Sequence, residues 1–201
     1  SMNNNHKLLL LFVILCQSCS QSIVINSVIP EPLVTKIENF SLGITYDKNI
    51  QDYQFMNTNS ESGEPDIKID LINSQVNLFN KILKSYFSDL VELPSNNSEV
   101  YTDIDLYMDA KLDAFELLSP TVSGNDKYAV WLKYKVILYD NKKTLLSNWY
   151  ITGYGEQPIG SRLAESLTRA VDLALRDVGV NLIIQIEDDF DKFKTKMSED
   201  S

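Results

Sequence analysis

The chain has 201 residues, 18 of them basic and 28 acidic, and a formal net charge of −10. That excess of acid argues against nucleic acid as a partner, because phosphate would be repelled, while a 44% apolar fraction is enough to build a core. One His and two Cys exclude most metal centres and nucleophilic catalytic systems.

Ser1-Met2 reads as an expression scar ahead of a native start at Met2. A polar stretch with Lys7 leads into the apolar run Leu8 to Leu15, followed by Cys16-Gln17-Ser18-Cys19-Ser20. As a helix the run is only about 12 Å long, and a bilayer core needs about 20 residues, so it does not span. It has the length of the apolar segment of a signal peptide.

A small residue before Cys, just after such a run, resembles the lipobox of bacterial lipoproteins. Ser18-Cys19 fits that pattern, although Cys16 stands where the family prefers Leu. Cys16 is the alternative acylated residue; it follows Ile14-Leu15 but has no small residue directly before it. The resemblance implies cleavage before the Cys, which is then acylated with several chains. Several acyl chains anchor firmly where one does so marginally. In enteric-type sorting an Asp after the Cys retains a lipoprotein at the inner membrane. Ser20 after Cys19, and Gln17 after Cys16, imply the outer membrane instead. Cleavage before Cys19 removes Lys7 and no acid, and no Cys beyond residue 19 remains to form an intradomain disulfide.

The expected organisation is a scar and signal peptide over 1–18, an acylated N-terminus and arm over 19–40, an α+β periplasmic domain over 41–186, and an acidic flexible tail over 187–201. Pro30 and Pro32 make the arm extended, and its apolar residues favour packing on its own domain over docking on a partner. Leu42 to Tyr46 reads as a strand, and the polar 47–66 as a loop. Over 71–90, Ile72, Val76, Phe79, Ile82, Leu83, Tyr86, Phe87 and Leu90 recur every three or four residues, which predicts a helix capped by Asp70 or Asn73. Alternation predicts strands over 103–117 and 128–139. A turn at Asp140-Asn141-Lys142-Lys143 leads into a returning strand over 144–154. Residues 161–186 form the second amphipathic helix, with Ser161 as N-cap and Gly179 as a bend or end. The fold class is therefore α+β: a two-layer sandwich of a mostly antiparallel sheet of about four strands with two helices on one face.

The chemistry is mostly excluded. His6 lies in the cleaved segment, so the mature chain has no Ser-His or Cys-His pair and no His/Cys zinc site. Gly153-Tyr154-Gly155 lacks the third Gly and the strand–loop–helix spacing of a nucleotide loop. An EF-hand starting at Asp103 would need Gly and Glu where Met108 and Ala114 stand. No pair of carboxylates is singled out for glycoside hydrolysis. Trp149, Tyr150 and Tyr154 remain as a candidate partner-binding surface, since accessible Trp and Tyr are good interface anchors. Alternation sends Trp149 and Ile151 to one face and Tyr150 and Tyr154 to the other.

The lipobox, the helix–three strands–helix order, and the run from Trp149-Tyr150-Ile151-Thr152-Gly153 to Arg176-Asp177-Val178-Gly179 resemble a class of small Gram-negative envelope lipoproteins. The fold is similar to that of the curli-secretion lipoprotein's periplasmic domain, the LPS-assembly lipoprotein and the auxiliary lipoproteins of lipid-transport ABC systems. The resemblance implies a non-enzymatic, protein-binding assembly component on the periplasmic face of the outer membrane, held there by acyl chains, with no cofactor or metal and with other envelope proteins as partners. A lipid- or LPS-handling auxiliary lipoprotein is the alternative. An apolar groove between helix and sheet would favour lipid handling; a flat aromatic patch would favour protein binding.

Overall fold

The structure, a computed structural model, describes residues 21–25, 37–57, 66–95 and 100–199. The expected signal peptide, Cys16 and Cys19, and residues 26–36 of the arm lie outside the described residues.

In chain order the elements are β1 (Gln21–Val24), β2 (Ile37–Tyr46), α1 (Lys48–Gln51), β3 (Gln54–Asn57), β4 (Ile67–Asp70), α2 (Ile72–Tyr86), β5 (Phe87–Leu93), β6 (Leu106–Leu118), α3 (Pro120–Ser123), β7 (Lys127–Asp140), β8 (Leu145–Pro158) and α4 (Leu163–Glu199). A five-stranded sheet has the order β5-β2-β6-β7-β8, and a three-stranded sheet the order β1-β4-β3. The fold is α+β, but the sheet is mixed: β6, β7 and β8 run antiparallel, while β2 lies parallel to both β5 and β6.

The antiparallel part follows its expected pattern. Tyr128, Val130, Leu132, Tyr134, Val136 and Leu138 of β7 are all buried on one face. The turn after it is built by Asp140, whose Oδ1 accepts from the amides of Lys142 (2.9 Å) and Thr144 (2.7 Å). Lys143 takes the left-handed conformation there, at φ 63°. In β6 the register shifts between Leu112 and Ala114. This bulge reverses the parity, so Phe115 and Leu117 turn toward the core side.

The strand count was underestimated for two reasons. The apolar periodicity over 71–90 belongs to two elements. Helix α2 closes at Tyr86, where the Phe87 amide bonds Leu83 O, and Phe87–Leu93 leaves as a strand beside β2. The presumed loop over 47–66 contains α1, capped by Asp47 Oδ1 on the Ile50 amide (3.0 Å), and β3. Strands of four residues are too short to display a period. The arm's first part does pack on its own domain: β1 pairs parallel with β4, with Ile23 and Ile25 buried, and Ser74 Oγ donates to Ile25 O.

Helices α2 and α4 cover one face of the large sheet and meet at Gly179, which sits inside α4 rather than ending it. A Cβ there would stand 3.1 Å from Leu78 Cδ1 and 3.3 Å from Ile82 Cδ1. Gly153 and Gly155 likewise lie within β8, which runs past the expected end at 154 to Pro158. A Cβ on Gly153 would reach 2.2 Å from Ala174 O, and one on Gly155 2.1 Å from Ala170 O. The glycines are where the α4 backbone rests directly on the sheet.

The expected flexible tail over 187–201 is helical through Glu199. Leu182, Ile186, Asp189 and Phe193 continue the buried stripe of α4 at spacings of three and four. The acidic composition of that stretch concealed the periodicity.

Candidate outer-face aromatic surface

With both helices on one side, the opposite face of β6–β7–β8 is the surface on which a site could stand. Pairing register sets its rows. Glu116 lies beside Trp131 and Trp131 beside Tyr154; Ala114 beside Lys133 and Lys133 beside Thr152; Lys111 beside Lys135 and Lys135 beside Tyr150. These are the positions that alternation turns away from the core.

The three aromatics named from the sequence divide between the faces. Tyr150 is 55% exposed, and Tyr154 is also exposed, on the outer face. Trp149 is 5% exposed and belongs to the core. Its Nε1 donates to Asp189 Oδ2 (2.7 Å), which also accepts from Ser147 Oγ (3.1 Å), and its ring lies 6.0 Å from that of Phe193. An indole N–H finds a buried acceptor in this way when the ring is packed. Trp149 is therefore removed from the candidate surface.

Trp131 takes its place. Its ring centroid is 4.7 Å from that of Tyr154, in a tilted contact, and it is exposed on the outer face. The signal for it was present in the sequence as its alternation with Lys133 and Lys135. What joins it to Tyr154 is the β7–β8 register, which a single strand does not carry.

Charged groups fix these rings. Tyr154 OH donates to Glu156 Oε2 (2.7 Å), and Lys127 Nζ meets Glu156 Oε1 at 2.8 Å. The hydrogen bond to Glu156 raises the Tyr154 pKa, and the one from Lys127 lowers that of Glu156. Lys133 Nζ sits 4.5 Å from the Tyr150 ring centroid and 3.3 Å from Asp113 Oδ2. Two grooves flank Trp131. One, of about 330 Å³, is lined by residues that include Ala114, Glu116, Leu118 and Thr152. The other, of about 450 Å³, reaches Asn125, Lys127, Tyr154 and Glu156.

The arrangement offers ring faces and fixed charges, and no nucleophile–base pair is built into it. Among the described residues, no three His, Cys, Asp or Glu side chains are grouped to hold a metal ion. No helix among them is long and apolar enough to cross a membrane.

No protein-family model matches the chain, and no curated protein matches it by sequence. Solved structures do. A DUF330-family protein from Xanthomonas campestris aligns with a TM-score of 0.54 at 11% identity, over 81% of this chain and 92% of that one. A hypothetical protein from Chlamydia trachomatis aligns at a TM-score of 0.43 and 6% identity, over 74% and 95% of the two chains. A lipoprotein from Neisseria meningitidis aligns at 0.27 and 12% identity, over 66% and 95%. The first likeness shows a shared α+β fold; the other two scores are too low to argue from.

Proposed function

We propose that this chain is an outer-membrane lipoprotein, acylated at Cys19, whose periplasmic domain binds other envelope proteins through the outer face of its large sheet. The carrying observation is the aromatic group of Trp131, Tyr154 and Tyr150, accessible on the face that neither helix covers. Rigid Trp and Tyr rings with polar tips are the residues that dominate protein interfaces. The paired charges around them, Lys127 with Glu156 and Lys133 with Asp113, would form the polar rim. The lipobox-like Ser18-Cys19 supports the anchor.

The lipid-handling alternative needs an apolar gap between helix and sheet. At Gly153 and Gly155 the α4 backbone leaves no space even for a methyl group, which speaks for the protein-binding reading.

The test is photocrosslinking in the native envelope. A photoreactive residue replaces Trp131 or Tyr154 in turn, with Met56, exposed on the small sheet, as the control position. The expected result is one discrete protein adduct common to both outer-face positions and absent from the control. Adducts with lipid alone, or equal labelling at Met56, overturn the reading. The anchor is tested separately by Cys19→Ala, which should leave the chain unprocessed and detached; unchanged membrane attachment refutes it.

A further inference from the structure

The surface of α4 turned away from the core carries a second pattern. Leu173, Val180 and Ile184 are 41%, 54% and 51% exposed. Their spacings of seven and four bring them within about 40° of one line along the helix at 3.6 residues per turn. That line lies opposite the buried Val171, Val178 and Leu182, so the three share one exposed face, on which Arg176 and Asp177 stand between Leu173 and Val180.

Charge is distributed along the same line with a reversal. Arg169 stands on the N-terminal side of the seam, and Glu187 and Asp191 stand on the C-terminal side, all exposed. A helix face that runs basic, apolar, acidic is complementary to itself when a second copy is laid antiparallel. A two-fold axis near Val178 and Gly179 sets Leu173 opposite Ile184 of the second copy. It places Arg169 within reach of that copy's Glu187 and Asp191, and does so twice by symmetry. A parallel pairing would set like charges against each other at both ends.

We propose that the exposed face of α4 is a homodimerisation surface, on which two copies of this chain pack as antiparallel helices around Val180. Three apolar side chains per copy make a small seam, so the charged ends fix its direction and exclude other registers. The proposal is independent of the outer sheet face and of the anchor.

The experiment is disulfide trapping in the full chain. Val180→Cys places two thiols beside the two-fold axis, at a helix separation that allows a bond. Val122→Cys, exposed on α3, and the parent chain give the background. Cross-linked dimer from Val180→Cys should exceed both. Adding Arg169→Glu should lower that yield roughly tenfold, since attraction becomes repulsion at both ends, and Asp191→Arg alone should lower it by less, because Glu187 stays opposite Arg169. Combining Arg169→Glu with Asp191→Arg should raise the yield above that of Arg169→Glu, since the new pair attracts again while Glu187 still opposes Glu at position 169. Glu187 is left in place because its Oε1 accepts from Tyr86 OH (2.8 Å). A Val180→Cys yield no higher than the background overturns the proposal. So do single charge reversals without effect, or a double reversal that yields no more dimer than Arg169→Glu alone. Circular dichroism of each variant, all at exposed positions, separates loss of pairing from loss of fold.

Discussion

Single residues decide how closely the two layers approach, and the glycines show it best. At Gly153 and Gly155 a methyl group would meet the α4 backbone at 2.2 and 2.1 Å, and a backbone cannot move aside as a side chain can. Gly155→Ala is therefore expected to destabilise the fold by about 3 kcal/mol, at the upper end of overpacking effects, read as a lower urea midpoint. Gly179→Ala meets only the ends of Leu78 and Ile82, and replacing a helical glycine regains about 1 kcal/mol. Its midpoint should stay near that of the parent; equal losses at the two sites would refute this account of the packing. The sequence could not distinguish the cases. A glycine has no side chain to display the period of its strand, so the expected strand stopped at 154 although β8 continues through Gly155 to Pro158.

Asp109 makes a second prediction at this scale. Burial raises its pKa from the ordinary 3.8, partly offset by Lys143, Thr45 and Tyr139. In the window just above 3.8 the folded chain holds a proton there that the unfolded chain has released. This carboxyl therefore lowers stability as pH rises through the window. Asp109→Asn removes that contribution, so urea midpoints measured across the acid range should fall less with rising pH, or rise more, than in the parent. Superimposable profiles would show that the residue does not titrate differently on folding.

At the scale of elements, α4 does more than cover the sheet. β8 is an edge strand, and edges are liable to pair with other chains. Here α4 guards it: Asp177 Oδ2 accepts from the Tyr154 amide (2.9 Å), and Asn181 Nδ2 donates to Thr152 O (2.8 Å). Asp177→Ala should accelerate hydrogen exchange at the Tyr154 amide while the neighbouring amides bonded to β7 keep their protection. The last turns of α4 hold the other half of the strand through Asp189 and Phe193 on Trp149. Ending the chain after Ile186 would strand a buried indole N–H and uncover its ring, at about 3–5 kcal/mol. A detached tail would come off without change. This part of the structure was legible in principle, because Ile186, Phe190 and Phe193 continue the helical spacing. The net acid of 187–201 outweighs that signal. β1, β3 and β4 were not legible: four residues each give no period, and their pairing is set by contacts distant in sequence, such as Gln21 with Ile67.

At the scale of the whole molecule, the two surfaces can be placed relative to the start of the chain. β1 begins two residues after Cys19, and two residues span at most about 7 Å. An anchor at Cys19 would thus hold the small sheet close to the leaflet. That sheet lies on the helix side of the large one, since Tyr53 and Phe55 pack their rings on Phe115, which faces the core (5.8 and 4.9 Å between centroids). The outer face, with Trp131, Tyr150 and Tyr154, is on the other side of the large sheet and turned away from β1. The tryptophans report on this directly, because the chain has only two, and Trp149 is buried while Trp131 is not. With the acylated protein in vesicles, iodide should quench a fraction of the emission that Trp131→Phe abolishes, and brominated lipid should leave that fraction untouched. If brominated lipid quenches it, the aromatic face lies on the membrane. Its rings would then serve as an interfacial belt, a role Trp and Tyr also fill, and protein binding through that face would have to be abandoned.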